Sequence, residues 1–186
     1  GTTMVYITHD QAEAMALAPT LIAPEAYGIW QDQIEDAPEL MYPPILERFR
    51  GGRHTLAADY VAGWECLARL RADWARLVAS FDAVILPTSP ILPPDANRLL
   101  TEPDFFAAEN LLTLRNTRIA NLLGLPAISL PTGHPACGLM LMGAAGHDRA
   151  LLIVAAAAEA ALQPLPRDSL VLSRANAGKS GGICPR

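Results

Sequence analysis

The run Asn-Leu-Leu-Gly-Leu-Pro-Ala-Ile-Ser-Leu at residues 121–130 constrains the fold more than any other part of the chain. Gly124 follows a helical pattern and suits a helix end, because glycine enters the left-handed region without a Cβ clash. Pro126 then suits the first position of a strand, where no amide donor is needed, and Ile128 and Leu130 would share one face of a sheet. Such a helix-to-strand switch, with no room for a loop, demands that helix and sheet pack against each other.

The rest of the sequence supplies partners for that unit. Residues 55–80 place Tyr60, Trp64, Leu67, Leu70, Trp74 and Leu77 at three- and four-residue steps, the spacing of one helical stripe. Residues 82–87 and 138–142 are short apolar runs that read as core strands, and 102–123 read as one helix. Leu40, Met41, Ile45, Leu46 and Phe49 mark a helix from Pro38 to Gly51-Gly52, where glycine's access to positive φ is expected to end it. The proline-dense stretch 87–103 reads as an irregular connection, Asp148 as the cap of a helix to about residue 162, and 163–186 as a mobile tail. Near the start, residues 1–8 read as a strand and 9–17 as a helix capped by Asp10. Pro19 breaks it, so a boundary is expected at 17–20 before a new helix at Pro24.

Composition excludes several functions. The 186 residues carry a net charge of −5, and 13 of the 14 basic residues are arginines spread along helical faces, so no basic cluster points to nucleic acid. Cys66, Cys137 and Cys184 are too scattered for a zinc site or a disulfide framework, so no metal is expected and a reducing cytoplasm is the default setting. The apolar run 150–162 is interrupted by Glu159 and falls short of the roughly 20 residues a membrane span needs. No signal peptide is evident.

Taken together, the segments Glu-Arg-Phe-Arg-Gly-Gly at 47–52, Phe-Asp-Ala-Val-Ile-Leu-Pro-Thr-Ser-Pro at 81–90, Asn-Leu-Leu-Gly-Leu-Pro-Ala at 121–127 and Gly-Leu-Met-Leu-Met-Gly at 138–143 resemble the carboxy-terminal portion of the amidase-signature family, over residues 20–165. The resemblance implies an α/β fold, an incomplete mixed β-sheet surrounded by helices, and descent from enzymes that hydrolyse amide C–N bonds. It implies no cofactor. It also implies substrate-facing positions: Arg48 before the glycine-ended helix, Thr88 in the proline-rich turn, and Thr117 four residues before Asn121. Members acting on amino-acid amides carry an acid seven residues before that asparagine, where this chain has Leu114, which argues against an amino-acid substrate.

Amide hydrolysis in that family runs on a serine, a bridging serine and a lysine, and neither the Gly/Ser-rich loop nor the lysine segment occurs here. The one lysine is Lys179. No catalytic residue is therefore assigned, and the chain is expected to be inactive alone, since a nucleophile needs an activating base and an oxyanion site. Two other expectations stand beside it: half of a split amide hydrolase, binding a small amide only when a partner completes it, and a non-catalytic interaction module that self-associates through exposed apolar surface.

A second resemblance lies at the start. Met-Val-Tyr-Ile-Thr-His-Asp-Gln-Ala-Glu-Ala-Met at residues 4–15 is similar to the switch-histidine segment of ABC-transporter ATPases, with His9 in the histidine's place but no phosphate loop before it. The division expected from both resemblances is an ATPase-like piece at 1–18, an amidase-like domain at 19–165 and a tail at 166–186. Residues 173–180 approach a P-loop pattern, but too few residues follow for the helix that would hold phosphate, so no nucleotide site is expected.

Overall fold

The computed structural model describes residues 9–162, and the expectations for residues 1–8 and 163–186, Lys179 and Cys184 included, lie outside them. Seven helices and three strands follow in the order α1 (His9–Asp36), α2 (Pro43–Gly51), α3 (Ala57–Val78), β1 (Val84–Pro87), α4 (Ala96–Thr101), α5 (Pro103–Thr113), α6 (Arg115–Leu123), β2 (Ala127–Pro131), β3 (Gly138–Met142) and α7 (Asp148–Ala161). The α/β expectation holds, and every described strand pairing is antiparallel, in the order β1-β3-β2.

The sheet separates two apolar layers, as the period-two alternation of a strand requires. Val84 and Leu86 of β1 and Met140 and Met142 of β3 face Leu67, Leu70 and Trp74 of α3 and Ile119 and Leu123 of α6. The alternate residues Leu141 and Leu130 turn the other way, with Ile85 and Ile128, onto Leu151 and Ala155 of α7. Register explains the pairing: Val84 lies opposite Met142 and Leu86 opposite Met140, so directly opposed residues serve the same layer.

The switch at 121–130 forms as its residues predict. Gly124 adopts φ 68°, and its N–H bonds back to the carbonyls of Ala120 and Asn121. The Gly143 N–H donates to the Pro126 carbonyl at 3.0 Å, which ties the strand opening to the far end of β3.

Six local expectations are corrected. The boundary at 17–20 is not a break: α1 runs through Pro19 and Pro24 to Asp36. A proline inside a helix costs about 3 kcal/mol, and here Ala18, Leu21 and Ile34 bury that helix against its neighbours and offset the loss. Gly51 and Gly52 do not use positive φ, since they lie at −55° and −60°. Gly52 is required by space: a Cβ there would overlap the Ala23 carbonyl and stand 2.6 Å from the Pro24 nitrogen. The segment from Pro38 is a 3-10 turn at Pro38–Leu40 followed by a separate helix that starts at Pro43, where a missing N–H is harmless. Residues 87–103 are not wholly irregular, because Asp95 caps α4, its Oδ1 accepting from the Arg98 N–H at 2.9 Å. Residues 102–123 form two helices that meet at Leu114, and the cap of α7 is His147, with Asp148 inside the first turn.

Arginines expected on solvated helix faces or in local ion pairs divide into two kinds. Arg76 pairs with Asp73 one turn away. Arg71 instead donates from Nε and Nη2 to the Leu122 carbonyl, at 3.0 and 2.8 Å, which supplies a cation and donors to the carbonyl end of α6.

Candidate functional site

Helix α6 starts where β1 ends, and a buried amide joins them. Asn116, one residue into α6 and 8% exposed, is the one buried polar side chain among the described residues. Its Nδ2 donates to the Pro87 carbonyl at 2.7 Å. β1 is an edge of the three-stranded sheet and the Pro87 carbonyl points away from β3, so it needs such a partner; left unpaired when buried, it would cost about 1–3 kcal/mol. This bond sets the α6 start, with Thr117, beside the β1 end, with Thr88.

Thr88 carries the next link. Its N–H donates to the Gly138 carbonyl at 2.8 Å, which extends the β1–β3 ladder by one residue. Its hydroxyl meets the Ser129 hydroxyl of β2 at 2.5 Å, and either can donate. The two hydroxyls come from the outer strands and meet over the middle one, because Gly138 has no side chain: a Cβ there would lie 2.6 Å from Ser129 Oγ and 2.7 Å from Thr88 Oγ1. Thr117 spends its hydroxyl on the Leu114 carbonyl, at 3.2 Å, where α5 hands over to α6.

None of these hydroxyls bonds to a histidine or carboxylate among the described residues, so none is activated as a nucleophile. No group of three or more potential metal ligands occurs among the described residues either. The edge can hold and orient a polar group through hydroxyls.

Arg48 is elsewhere. Its Nη1 donates to Asn110 Oδ1 of α5 at 3.0 Å, and the guanidinium lines a cavity of about 430 Å³ bounded by Ile22 and Ala26 of α1, Phe49 of α2, Leu111 of α5 and Arg118 of α6. Arg118 is half-buried, and burial first, then the nearby positive charge of Arg48, pushes its guanidinium below the ordinary range. The three substrate-facing positions expected from sequence thus fall into two places. Thr88 and Thr117 flank the α6 start, and Arg48 opens on the cavity against α1.

Sequence reasoning singled out neither Asn116 nor Arg118. Both lie in the Arg-Asn-Thr-Arg run at 115–118, and the polar density of that run at a helix start, between two apolar stretches, was the available signal.

The family described as Amidase matches residues 11–152. The chain is 32% identical over 126 residues to 2-amino-5-chloromuconic acid deaminase of Comamonas testosteroni, covering 66% of this chain and 27% of the relative. It is 30% identical over 141 residues to the A subunit of the glutamyl-tRNA(Gln) amidotransferase of Halobacterium salinarum, covering 71% of this chain and 32% of the relative. An amidase crystal structure superposes with a TM-score of 0.67 at 23% identity, over 84% of this chain and 37% of that one. The chain therefore spans about a third or less of the length of the curated relatives it matches. The family match begins at residue 11, inside α1, and nothing in these comparisons supports the ATPase likeness of residues 4–15.

Proposed function

The chain belongs to the amidase family, and we propose that residues 19–165 are the carboxy-terminal, cleft-wall part of an amide-hydrolysing enzyme. One observation carries this: the family match runs through every element that holds Arg48, Thr88 and Thr117, while the serine loop and lysine segment of the family's chemistry are not among the 186 residues. In this reading the chain contributes binding groups and the remaining part contributes the nucleophile. Arg48 meets the substrate through its guanidinium, Thr88 and Thr117 orient it through hydroxyls at the α6 start, and the 186 residues alone hydrolyse nothing. The relatives' names span a deaminase of 2-amino-5-chloromuconic acid and one component of an amidotransferase, so the reading commits to C–N bond cleavage and to no single substrate.

The test is complementation. The 186-residue chain is assayed for ammonia release from a panel of primary amides, alone and co-expressed with an amino-terminal amidase part that carries the lysine and the Gly/Ser-rich loop. Inactivity alone and activity in the pair are expected. Sustained ammonia release by the chain alone, or a soluble pair that never gains activity, overturns the proposal. The ATPase-like reading of residues 1–18 and a cytoplasmic setting belong to the same proposal, and sequencing the locus across codons 1–25 tests the join.

A second reading, an interaction module, is favoured by one observation: Leu40 is 84% exposed and Ile29 69% exposed, near a groove of about 520 Å³ that Trp30 and Tyr42 also line. Concentration-dependent mass in light scattering supports it, and a constant monomer mass removes it.

A further inference from the structure

The cavity between α1, α2, α5 and α6 combines two properties that together suit an amphipathic anion. Its wall is apolar, formed by residues such as Ile22, Ala26, Phe49 and Leu111, and it admits two guanidiniums, Arg48 and Arg118, from different helices. Arginine stays charged at neutral pH. Half-buried Arg118 has lost part of its hydration, and the positive charge of exposed Arg48 beside it adds repulsion.

Three other arginines meet carboxylates, Arg50 with Glu35 and Glu47, Arg76 with Asp73 and Arg98 with Glu102, and Arg71 meets the Leu122 carbonyl. Neither Arg48 nor Arg118 forms an ion pair with a described residue, and among the described residues no acidic side chain lines the cavity. The polar partner of Arg48 is the neutral amide of Asn110.

We infer that Arg118 is a second anion-binding group which, with Arg48, makes this cavity a site for a small organic acid whose carboxylate the guanidiniums hold and whose hydrocarbon part lies on Phe49 and Leu111. The inference rests on the proposed function only in treating Arg48 as substrate-facing, and it adds a residue and a ligand class. Arg118 is suited to the work by position. It follows Asn116 by two residues, so while Asn116 fastens α6 to β1, Arg118 leaves the helix on the other side, toward α1. Among its described lining residues the site carries no acid that could hold an ammonium group, so the ligand is anionic without a paired cation.

The probe is adipate, with adipamide as its neutral counterpart, titrated calorimetrically into the whole 186-residue chain at low salt. Adipate is expected to bind at least ten-fold more tightly than adipamide. Arg118→Gln is expected to weaken adipate at least ten-fold and leave adipamide unchanged, while Arg118→Lys keeps most of the affinity and Arg69→Ala, on α3 and outside the cavity, keeps all of it. Should Arg118→Gln fail to fold, by circular dichroism, the wild-type affinity measured against rising sodium chloride takes its place, and a several-fold fall is expected. Equal binding of acid and amide, no binding of either, undiminished affinity in Arg118→Gln, or a flat salt profile overturns the inference. The two proposals separate cleanly: a completed enzyme that cleaves neutral amides regardless of Arg118→Gln sinks this one alone, and adipate binding by a completed protein that hydrolyses no amide sinks the proposed function alone.

Discussion

Arg48 and Arg50 stand two residues apart on α2 and serve opposite sides of it. Arg50 turns to the end of α1, where Nε and Nη2 donate to the two Glu35 oxygens at 3.1 and 2.7 Å, and the Tyr27 hydroxyl adds a third bond to the same carboxylate at 3.2 Å. Arg48 turns to an apolar cavity with a neutral amide and another arginine. The first arrangement is closed, because every strong donor meets a carboxylate. The second carries positive charge that no described carboxylate balances, with one bond to a neutral amide across to α5. Two arginines on one helix therefore separate scaffold from site by the company each keeps.

The comparison can be broken from the cavity side with the largest effect. Ile119, 2% exposed, anchors α6 next to Arg118, and Ile119→Ala is expected to cost about 2–5 kcal/mol in urea unfolding, by lost transfer energy and a cavity. A loss under about 1 kcal/mol would mean that α6 is not held by this core. Adipate binding is expected to fall with it, since Arg118 then loses its seat.

Gly52→Ala attacks the seam that both arginines depend on. The new Cβ would overlap the Ala23 carbonyl and meet the Pro24 nitrogen at 2.6 Å, both backbone groups, so α1 and α2 must separate. The expected destabilisation is about 1–3 kcal/mol, with a lower thermal midpoint. An unchanged midpoint would show that the seam has slack.

Gly138→Ala is a smaller test, at the hydroxyl edge. It should cost about 1 kcal/mol by pushing apart Ser129 and Thr88, whose oxygens are side-chain ends that can turn away. Ser129→Ala in the same chain is expected to recover part of that cost, and a strictly additive double variant would disprove the contact.

The smallest effect is on pH dependence. The Arg50 guanidinium, then the Tyr27 hydroxyl, hold the Glu35 carboxyl below its ordinary range against the opposing pull of desolvation. A carboxyl with a lowered folded value stabilises the fold above its unfolded value of about 4.3 and loses that contribution as pH falls through the folded value. Glu35→Gln should therefore flatten the acid limb of the stability profile and leave the profile above pH ~6 parallel to wild type. Arg48→Gln should not alter the acid limb, and a change there would erase the distinction between the two arginines.

Local chemistry made some of this legible in advance. Gly124 stops α6 with positive φ and Pro126 opens the β2 segment, because one residue type suits each place regardless of surroundings. The apolar run at 138–142 and most of the stripe on 55–80 were equally readable, since burial follows helix and strand periods, though Leu77 of that stripe is exposed.

Where neighbours decide, the chain misleads. Pro19 reads as a break and Pro24 as the start of a new helix, yet α1 continues because buried Ala18 and Leu21 outweigh two missing hydrogen bonds. Gly52 reads as a conformational stop and is in fact a gap for another helix's backbone. Leu114 sits inside one apparent helical period and still marks the junction of two helices.

By itself the sequence determined the α/β class and the family, because periodicity, turn chemistry and motif order are properties of neighbouring residues, and the family resemblance in turn implied the three positions Arg48, Thr88 and Thr117. Tertiary structure alone decided that Thr88 meets Ser129 over Gly138, that Asn116 ties α6 to β1, and that Arg118 joins Arg48 in a cavity with no acid among its described lining residues. Those pairs are 41, 29 and 70 residues apart in the chain. Contact at such separation depends on how whole elements pack, which no local pattern encodes.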